Sequence, residues 1–265
     1  LPALASALRM AADDGLVDVV GAWSHMSRAD DPSEAGNAST ASHVRIFEEG
    51  LAILADAGVT PRIRHLSATS GILWHREAHY DMVRAGIGLY GLSPDPAVAT
   101  SEQLGLTPAL ELRAPLTSVK VIEEGTPASY GGTWVAPTRR WIGLVPLGYG
   151  DGILRAASNQ ARVVVHTASG PFNAPLIGRV CMDQFMVDLG PAEGSPGTPT
   201  ARSGQAPAIP GDIATLFGSG IGGEALADDW AQAAGTINYE IVTHLGAHIP
   251  RIYRDGADAT FGSNS

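Results

Sequence analysis

An apolar run that carries one arginine passes directly into a glycine-rich turn at residues 83–94, and this stretch constrains the fold most. Arg84 stands just before Gly86, Gly88 and Gly91. Glycines let backbone N–H groups approach a ligand closely, so a strand ending in such a turn can cradle an anion such as a phosphate. Arg84 adds a fixed positive charge beside the turn. A buried strand that ends in an ordinary turn explains the same residues, so the rest of the chain must decide.

The residues before this stretch alternate between helical and strand patterns. Helical spacing at residues 3–14 precedes an apolar strand at 17–23, and a helix follows with Phe47 on its apolar face. A second strand is predicted at 63–66 and a third around Val83. This alternation is typical of a parallel α/β architecture.

After Pro94 the pattern changes to strands separated by glycine and proline. The runs that predict strands are 110–122, 141–146, 162–166, 176–180, 185–189 and 213–217. Helical spacing returns only near residues 225–234 and 237–245. The small and polar residues of 191–207 and 255–265 predict a loose insertion and a loose tail.

We therefore predict two domains joined by a polar linker. Residues 1–98 form an α/β domain and residues 105–265 form a mainly β domain. Three β/α units fall short of an eight-stranded (β/α)8 barrel, which takes about 250 residues. An open parallel sheet exposes unpaired backbone groups at its edge, so we expect that a further part of the domain is missing.

Composition excludes several classes of protein. The 265 residues carry a net charge of −10, which argues against a nucleic-acid surface. There is no apolar run long enough for a membrane span, and no secretory signal pattern. One cysteine, Cys181, excludes an internal disulfide and fits a reducing compartment, so we expect a cytoplasmic protein. No ligand spacing predicts a metal site. Only one of the 17 basic residues is a lysine, Lys120.

One candidate site lies where the predicted parallel strands end. Such strand ends converge on one face, where α/β folds bind ligands. His25, Thr69, Arg84, Gly86 and Ile87 fall on this face. Thr69 and the two backbone amides could hold a phosphate, and Arg84 and His25 could address an aromatic ring. Alone, Thr69 also fits a helix N-cap, and His25 also fits a histidine satisfied at the end of its strand.

Three glycine-marked motifs in the second domain are further candidates. They contain Tyr130, Tyr149 and Met182, in residues 129–132, 148–152 and 178–184. An exposed tyrosine can act as an acid or a base where a cation stabilises its phenolate. Each motif alone also fits ordinary turn chemistry.

Taken together, these motifs resemble the alanine racemase family. The matching segments occur in the family's order, at residues 83–94, 129–132, 148–152, 178–184 and 236–240. The resemblance implies an isomerase that uses pyridoxal 5′-phosphate (PLP) to interconvert L- and D-alanine, supplying D-alanine for peptidoglycan. It also implies a (β/α)8 (TIM) barrel followed by a carboxyl-terminal β-domain. Two subunits of the family pair head to tail as a homodimer and share their active sites.

The resemblance assigns roles to residues of both domains. Arg84 would bond the pyridine nitrogen of PLP, and His25 would lie beside the ring and help to position Arg84. Thr69, Gly86 and Ile87 would hold the phosphate.

Three residues of the second domain would face the substrate. Tyr130 would reach in from the partner subunit as one of two bases, Tyr149 would lie at the mouth of the site, and the backbone at Met182 would meet the substrate carboxylate.

The family's second base is a lysine that also carries the cofactor, and no residue here matches it. Lys120 lies in the β domain, away from the motifs. We therefore expect a carboxyl-terminal fragment, about two thirds of the whole, that lacks the segment with this lysine. Such a fragment would not racemise alone. The alternatives are a non-catalytic dimerising remnant and a related racemase acting on serine or another small amino acid.

Overall fold

A computed structural model describes residues 1–193 and 206–254. Most of the predicted insertion, and the tail after residue 254, lie outside these ranges. The helices are α1 (Pro2–Asp13), α2 (Glu34–Asp56), α3 (Thr69–Trp74), α4 (Ala227–Ala234) and α5 (Asn238–Thr243). The strands are β1 (Gly21–Trp23), β2 (Ile63–His65), β3 (Leu112–Pro115), β4 (Ser118–Ile122), β5 (Pro127–Ala128), β6 (Trp134–Val135), β7 (Arg140–Val145), β8 (Arg162–Thr167), β9 (Gly170–Ile177), β10 (Phe185–Pro191) and β11 (Ile213–Phe217).

The chain divides into two compact units between Ala109 and Leu110. Residues 94–106, whose polar composition predicts a linker, are hydrogen-bonded to the first unit. The Ser93 N–H donates to Ser101 Oγ at 2.9 Å, and the Ala109 N–H donates to the Tyr90 carbonyl at 3.0 Å. These bonds hold the segment on the unit that precedes it. No helix in the described ranges has the length and apolar character that a membrane crossing requires.

In the first unit, α2 covers the strand ends with its apolar face. Ser33 caps this helix, because its Oγ accepts the Gly36 N–H at 3.1 Å. Successive turns of α2 then present apolar side chains to the core, as the spacing predicts. Phe47 packs there with Met26 and Leu66. Burying these side chains stabilises the position of the segments that follow β1 and β2.

The parallel strands are shorter than predicted. β1 and β2 pair over three residues, from Gly21 opposite Ile63 to Trp23 opposite His65. The predicted third strand around Val83 is not assigned as a strand. The N–H groups of both Asp81 and Met82 donate to one acceptor, the Arg64 carbonyl, so the regular spacing of a ladder is lost. The segment nevertheless runs beside β2, since the Arg84 N–H donates to the Ser67 carbonyl at 2.9 Å.

The second unit is built on a seven-stranded antiparallel sheet in the order β3-β11-β8-β9-β10-β7-β4. Its two end strands are consecutive in the chain and are separated only by Leu116 and Thr117. The sequence predicts one strand over residues 110–122, whereas the structure bends it at Leu116, which is 1% exposed. Because one bent segment supplies both ends, the sheet must roll until those ends meet at the bend. Lys120 is exposed on β4, which bonds to β7 alone within the sheet.

Phe185 lies at the centre of this unit's core. It is 1% exposed, and its ring meets Trp230 of α4 edge to face with 6.3 Å between centroids. The Trp230 indole N–H donates to the Leu216 carbonyl at 2.6 Å, which fixes α4 against β11. The aromatic pair therefore joins a helix to the sheet.

Replacing Phe185 by alanine should lower the free energy of unfolding by about 3–5 kcal/mol, because the change leaves a cavity under α4. Urea denaturation followed by circular dichroism measures the loss. Ile221→Ala is the control, since Ile221 is 79% exposed and its truncation should change stability by no more than about 0.5 kcal/mol. Equal effects of the two substitutions would contradict this placement of the core.

Candidate active site

Arg84 is the centre of the polar cluster in the first unit. Its Nη2 donates to the Ser24 carbonyl at 2.9 Å and to the Leu66 carbonyl at 3.1 Å. Ser24 directly follows β1 and Leu66 directly follows β2, so these carbonyls have passed the last ladder bonds of their strands. The guanidinium supplies donors to both strand ends. The position of its side chain is therefore set by the sheet itself.

Two imidazoles complete the cluster around the guanidinium. Arg84 Nη1 lies 2.9 Å from His65 Nδ1, and Nη2 lies 3.0 Å from His25 Nδ1. A guanidinium has only donors, so each Nδ1 must be the acceptor. Each neutral ring then carries its proton on Nε2. Arg84 thus sets the tautomer of both histidines.

Trp23 is the fourth side chain of this cluster, and burial lowers the pKa values of two of its members. The Trp23 and His65 rings stack with 6.0 Å between centroids and 12° between planes, and the Arg84 Cζ lies 5.5 Å from the centre of the Trp23 ring. Burial lowers the pKa of Arg84. Burial first, and the charge of Arg84 second, lower the pKa of His65. Burial of His65 and the charge of Arg84 both favour the neutral form of the His65 ring.

Thr69 faces the glycine turn. It is the first residue of α3, whose N-cap is Ala68, so it is not the helix cap that the sequence also allowed. Its Oγ1 accepts the N–H groups of Gly86 at 3.1 Å and Gly88 at 3.3 Å. Thr69 is buried, with 6% of its surface exposed. Ile87, between the two glycines, is also buried.

The structure therefore brings together the five predicted residues of the first unit. His25 bonds Arg84, and Thr69 bonds Gly86, which is separated from Arg84 by one residue. His65 was missed by the sequence analysis. It stands at the end of the second strand, so the rule that selected His25 at the end of the first strand would have found it.

The second unit brings Tyr149 and Met182 side by side. The Tyr149 N–H donates to the Cys181 carbonyl at 2.9 Å, and the Gly150 N–H donates to the Met182 carbonyl at 2.8 Å. Gly148 is required at this crossing, because a Cβ there would lie 2.2 Å from the Met182 carbonyl oxygen. Both side chains remain accessible, with Tyr149 46% and Met182 55% exposed.

Asp151 fixes the turn that contains Tyr149. Its Oδ2 accepts the Gly148 N–H at 2.7 Å, and its Oδ1 lies 2.7 Å from His248 Nε2. The Gly246 N–H donates to the Asp151 carbonyl at 2.9 Å. These contacts join the turn to residues 246–248, a link that sequence spacing could not show because the partners are far apart in the chain.

Tyr130 begins a short 3-10 turn in the same unit and is 71% exposed. Cys181 lies close to this turn, with its Sγ 3.4 Å from Ser129 Oγ. Within residues 1–193 and 206–254, no group of three or more His, Cys, Asp or Glu side chains could hold a metal ion.

Family models match both parts of the chain. Residues 2–94 match the model described as "Alanine racemase, N-terminal domain", and residues 109–253 match the model described as "Alanine racemase, C-terminal domain". The two matches together cover most of the sequence and include every candidate site residue named above.

Individual relatives and solved structures agree with these models. The alanine racemase of Salinispora tropica is 42% identical over 253 residues, which are 95% of this chain and 61% of that protein. That of Beutenbergia cavernae is 45% identical over 245 residues, 92% of this chain and 59% of that protein. The structure of alanine racemase from Streptomyces coelicolor A3(2) is similar with a TM-score of 0.83 at 40% identity, covering 94% of this chain and 60% of that one. The structure from Bacillus anthracis with bound L-Ala-P has a TM-score of 0.76 at 29% identity, with coverage of 94% and 58%.

The fold is that of these proteins, part of a (β/α)8 barrel followed by a carboxyl-terminal β-domain, and the predicted fold class is confirmed. The chain belongs to the alanine racemase family. It spans about three fifths of the length of the curated relatives that it matches.

The His65 ring should titrate below the ordinary histidine value of 6.5, because burial and Arg84 disfavour the imidazolium. Since the folded-state pKa is lowered, the contribution of His65 to stability is complete above about pH 6.5 and is lost as the pH falls through the folded value. NMR titration of the ring measures the midpoint.

His65→Asn is the matched variant for this titration. Its amide oxygen can still accept from Arg84 but does not titrate, so the free energy of unfolding should depend less on pH between about 7 and 5. A His65 midpoint at or above 6.5, or identical pH dependence in the two proteins, would contradict the geometry.

Proposed function

We propose that the whole protein, of which this chain is a part, is an alanine racemase that uses PLP to interconvert L- and D-alanine. The observation that carries the proposal is the Arg84 cluster beside the Thr69 turn, in a chain of the alanine racemase family. The B. anthracis relative with bound L-Ala-P supports a small alanine-like ligand. D-Alanine for peptidoglycan is the product that we propose, made in the cytoplasm.

The residues present fit PLP. The phosphate needs donors, and Thr69 Oγ1, which accepts from the amides of Gly86 and Gly88, would have its own O–H left to donate to a phosphate oxygen. The pyridine nitrogen needs a single donor, and Arg84 has one to spare. Its two Nη atoms are used by the strand ends and the imidazoles, while its Nε bonds no acceptor within residues 1–193 and 206–254. Thr69, Gly86 and Ile87 would hold the phosphate, and Arg84 would meet the ring nitrogen.

When bound, PLP supplies an electron-withdrawing ring that makes the α-hydrogen of alanine more acidic. Arg84 limits this effect, because a guanidinium gives up no proton and so leaves the pyridine nitrogen unprotonated. His25 and His65 accept from Arg84 and so hold its guanidinium in one orientation. His25, which is exposed, would lie beside the cofactor ring.

Tyr130 would take or return the α-proton at its phenol oxygen, on the face of the substrate opposite to the second base. Racemisation requires a base on each face, because the α-carbon must be protonated from either side. We propose that Tyr130 comes from the partner subunit of a head-to-tail homodimer. Tyr149 would lie at the mouth of the site, and the backbone at Met182 would meet the substrate carboxylate; the bond between the Gly150 N–H and the Met182 carbonyl supports a fixed backbone there.

The second base is not a residue of this chain, since its one lysine, Lys120, is exposed on β4. We therefore propose that residues 1–98 and 105–265 are the barrel and β-domain portions of a longer protein whose remaining segment carries the lysine. The same observation favours the second candidate, a dimerising remnant without activity.

Expressed alone, the 265-residue chain should show no racemisation of alanine above background, because no lysine is available to carry the cofactor. A coupled D-amino acid oxidase assay measures the product. Lys120→Arg is the control and should behave like the unchanged chain. Turnover by the chain that is lost in Lys120→Arg would overturn the assignment of Lys120 as a surface residue.

The sequence of the DNA that precedes the codon for Leu1 tests the proposed function. We expect an in-frame continuation that encodes a lysine after a predicted strand, and a longer protein that racemises alanine faster than serine. A stop codon followed by a separate start would favour the remnant. Faster turnover of serine would favour the related serine racemase instead.

A further inference from the structure

Ser129, immediately before Tyr130, has an unusual backbone conformation. Its φ is 61° and its ψ is −176°, a combination that glycine adopts almost exclusively. A residue with a side chain persists there only when its surroundings hold it, and such outliers cluster at functional sites. The outlier directs the next residue, since the backbone at Ser129 determines where Tyr130 leaves the chain.

Tyr130 depends on this backbone because packing does not fix its ring. The side chain is 71% exposed, whereas Ala128, two residues before it, is 3% exposed and packs with Ile142 and Ile177. The chain passes from core to surface over two residues. The direction of the phenol is therefore set by the turn at residues 129–133.

The Ser129 side chain anchors the first end of the turn. Its Oγ donates to the Arg179 carbonyl at 2.7 Å. Gly178, just before that carbonyl, has a φ of 71°, and a Cβ on it would lie 2.7 Å from the Ala128 carbonyl oxygen and 2.8 Å from Ser129 Cβ. The two segments thus approach as closely as a glycine allows.

The Asn159 side chain anchors the other end of the turn. Its Nδ2 donates to Thr133 Oγ1 at 3.0 Å, and its Oδ1 accepts the Gly178 N–H at 2.6 Å. Asn159 has a φ of 61°, in the left-handed region that asparagine tolerates better than most residues. The neighbouring Ser158 Oγ accepts the Val180 N–H at 3.0 Å. Both ends of the turn are therefore tied to residues 178–180.

We infer that Ser129 and Asn159 are positioning residues for Tyr130, which together hold its turn on residues 178–180. The inference deepens the proposed function, because it states what aims the tyrosine proposed as a base. A base must lie within hydrogen-bond reach of the proton that it removes, so an exposed tyrosine acts efficiently only if its backbone is fixed.

Amide hydrogen exchange in the 265-residue chain tests the inference. Asn159→Gly keeps the left-handed backbone and removes both side-chain hydrogen bonds, so the amide of Gly132, which donates to the Ser129 carbonyl at 3.2 Å, should exchange about tenfold faster. Asn159→Asp keeps the acceptor for Gly178 and should restore part of the protection. Core amides in β8 should exchange at unchanged rates in both variants.

Ser129→Gly separates positioning from stability. It relieves the backbone outlier but removes the bond to Arg179, so the turn should exchange faster although urea denaturation shows no loss of stability. A residue that served stability alone would not give this combination. The control is Ser169→Gly, an exposed serine in the turn between β8 and β9. The inference is overturned if both Ser129→Gly and Asn159→Gly leave the turn at wild-type rates, or if the control loosens it equally.

A second readout links the turn to the reaction in the longer protein. Asn159→Gly should lower kcat more than it raises KM, and Asn159→Asp should recover part of kcat. Hydrogen exchange is measured without any racemisation. A failure of the positioning inference can therefore be distinguished from a failure of the proposed function. If the turn loosens as expected but Tyr130→Phe keeps the wild-type rate, the positioning inference holds and the proposed role of Tyr130 fails.

Discussion

The arrangement of the first unit depends on one guanidinium. Arg84 donates to the carbonyls of Ser24 and Leu66 and to the ring nitrogens of His25 and His65. These acceptors come from two strand ends, so a single side chain links both strands beyond the backbone bonds that pair them. A lysine could not replace it, because an ammonium lacks the planar set of five donors that reaches acceptors in several directions. Arg84 is thus a structural link and a candidate ligand contact at once.

In the second unit, two exposed tyrosine side chains depend on hydrogen-bonded turns for their positions. Tyr130 and Tyr149 both begin short 3-10 turns and are 71% and 46% exposed. Each turn is instead fixed to residues 178–182 through hydrogen bonds, by Ser129 in one case and by the backbone of Tyr149 in the other. One short segment therefore orders both tyrosines. Close backbone crossings explain the glycines beside Tyr149, because a Cβ on Gly148 would lie 2.2 Å from the Met182 carbonyl oxygen, whereas Gly131 and Gly132 after Tyr130 have φ values of 74° and 54°.

Much of this could be predicted from the sequence. The helix containing Phe47, the strand at 63–65 and the glycine turn after Arg84 follow from periodicity and composition. Strand ends in a parallel sheet meet on one face, and this rule predicts from the sequence that His25, Thr69 and Arg84 lie together.

Other features could not be predicted, for physical reasons. The stretch around Val83 reads as a strand, but two of its amides share one acceptor. The bend at Leu116 depends on how the whole sheet rolls. The Asn159 bonds and the pair of Asp151 and His248 join residues distant in the chain, and pattern arguments do not reach such pairs. The limits of the domains at 98 and 105 remain a prediction.

The central claim is that Arg84 donates to both imidazoles and so organises the candidate cofactor site. The most direct measurement is the ¹⁵N chemical shift of the ring nitrogens of His25 and His65 at neutral pH. We predict an unprotonated Nδ1 and a protonated Nε2 in both rings, with each Nδ1 shift changed in Arg84→Met. A protonated Nδ1 in either ring would contradict the claim, because that nitrogen could not accept from the guanidinium.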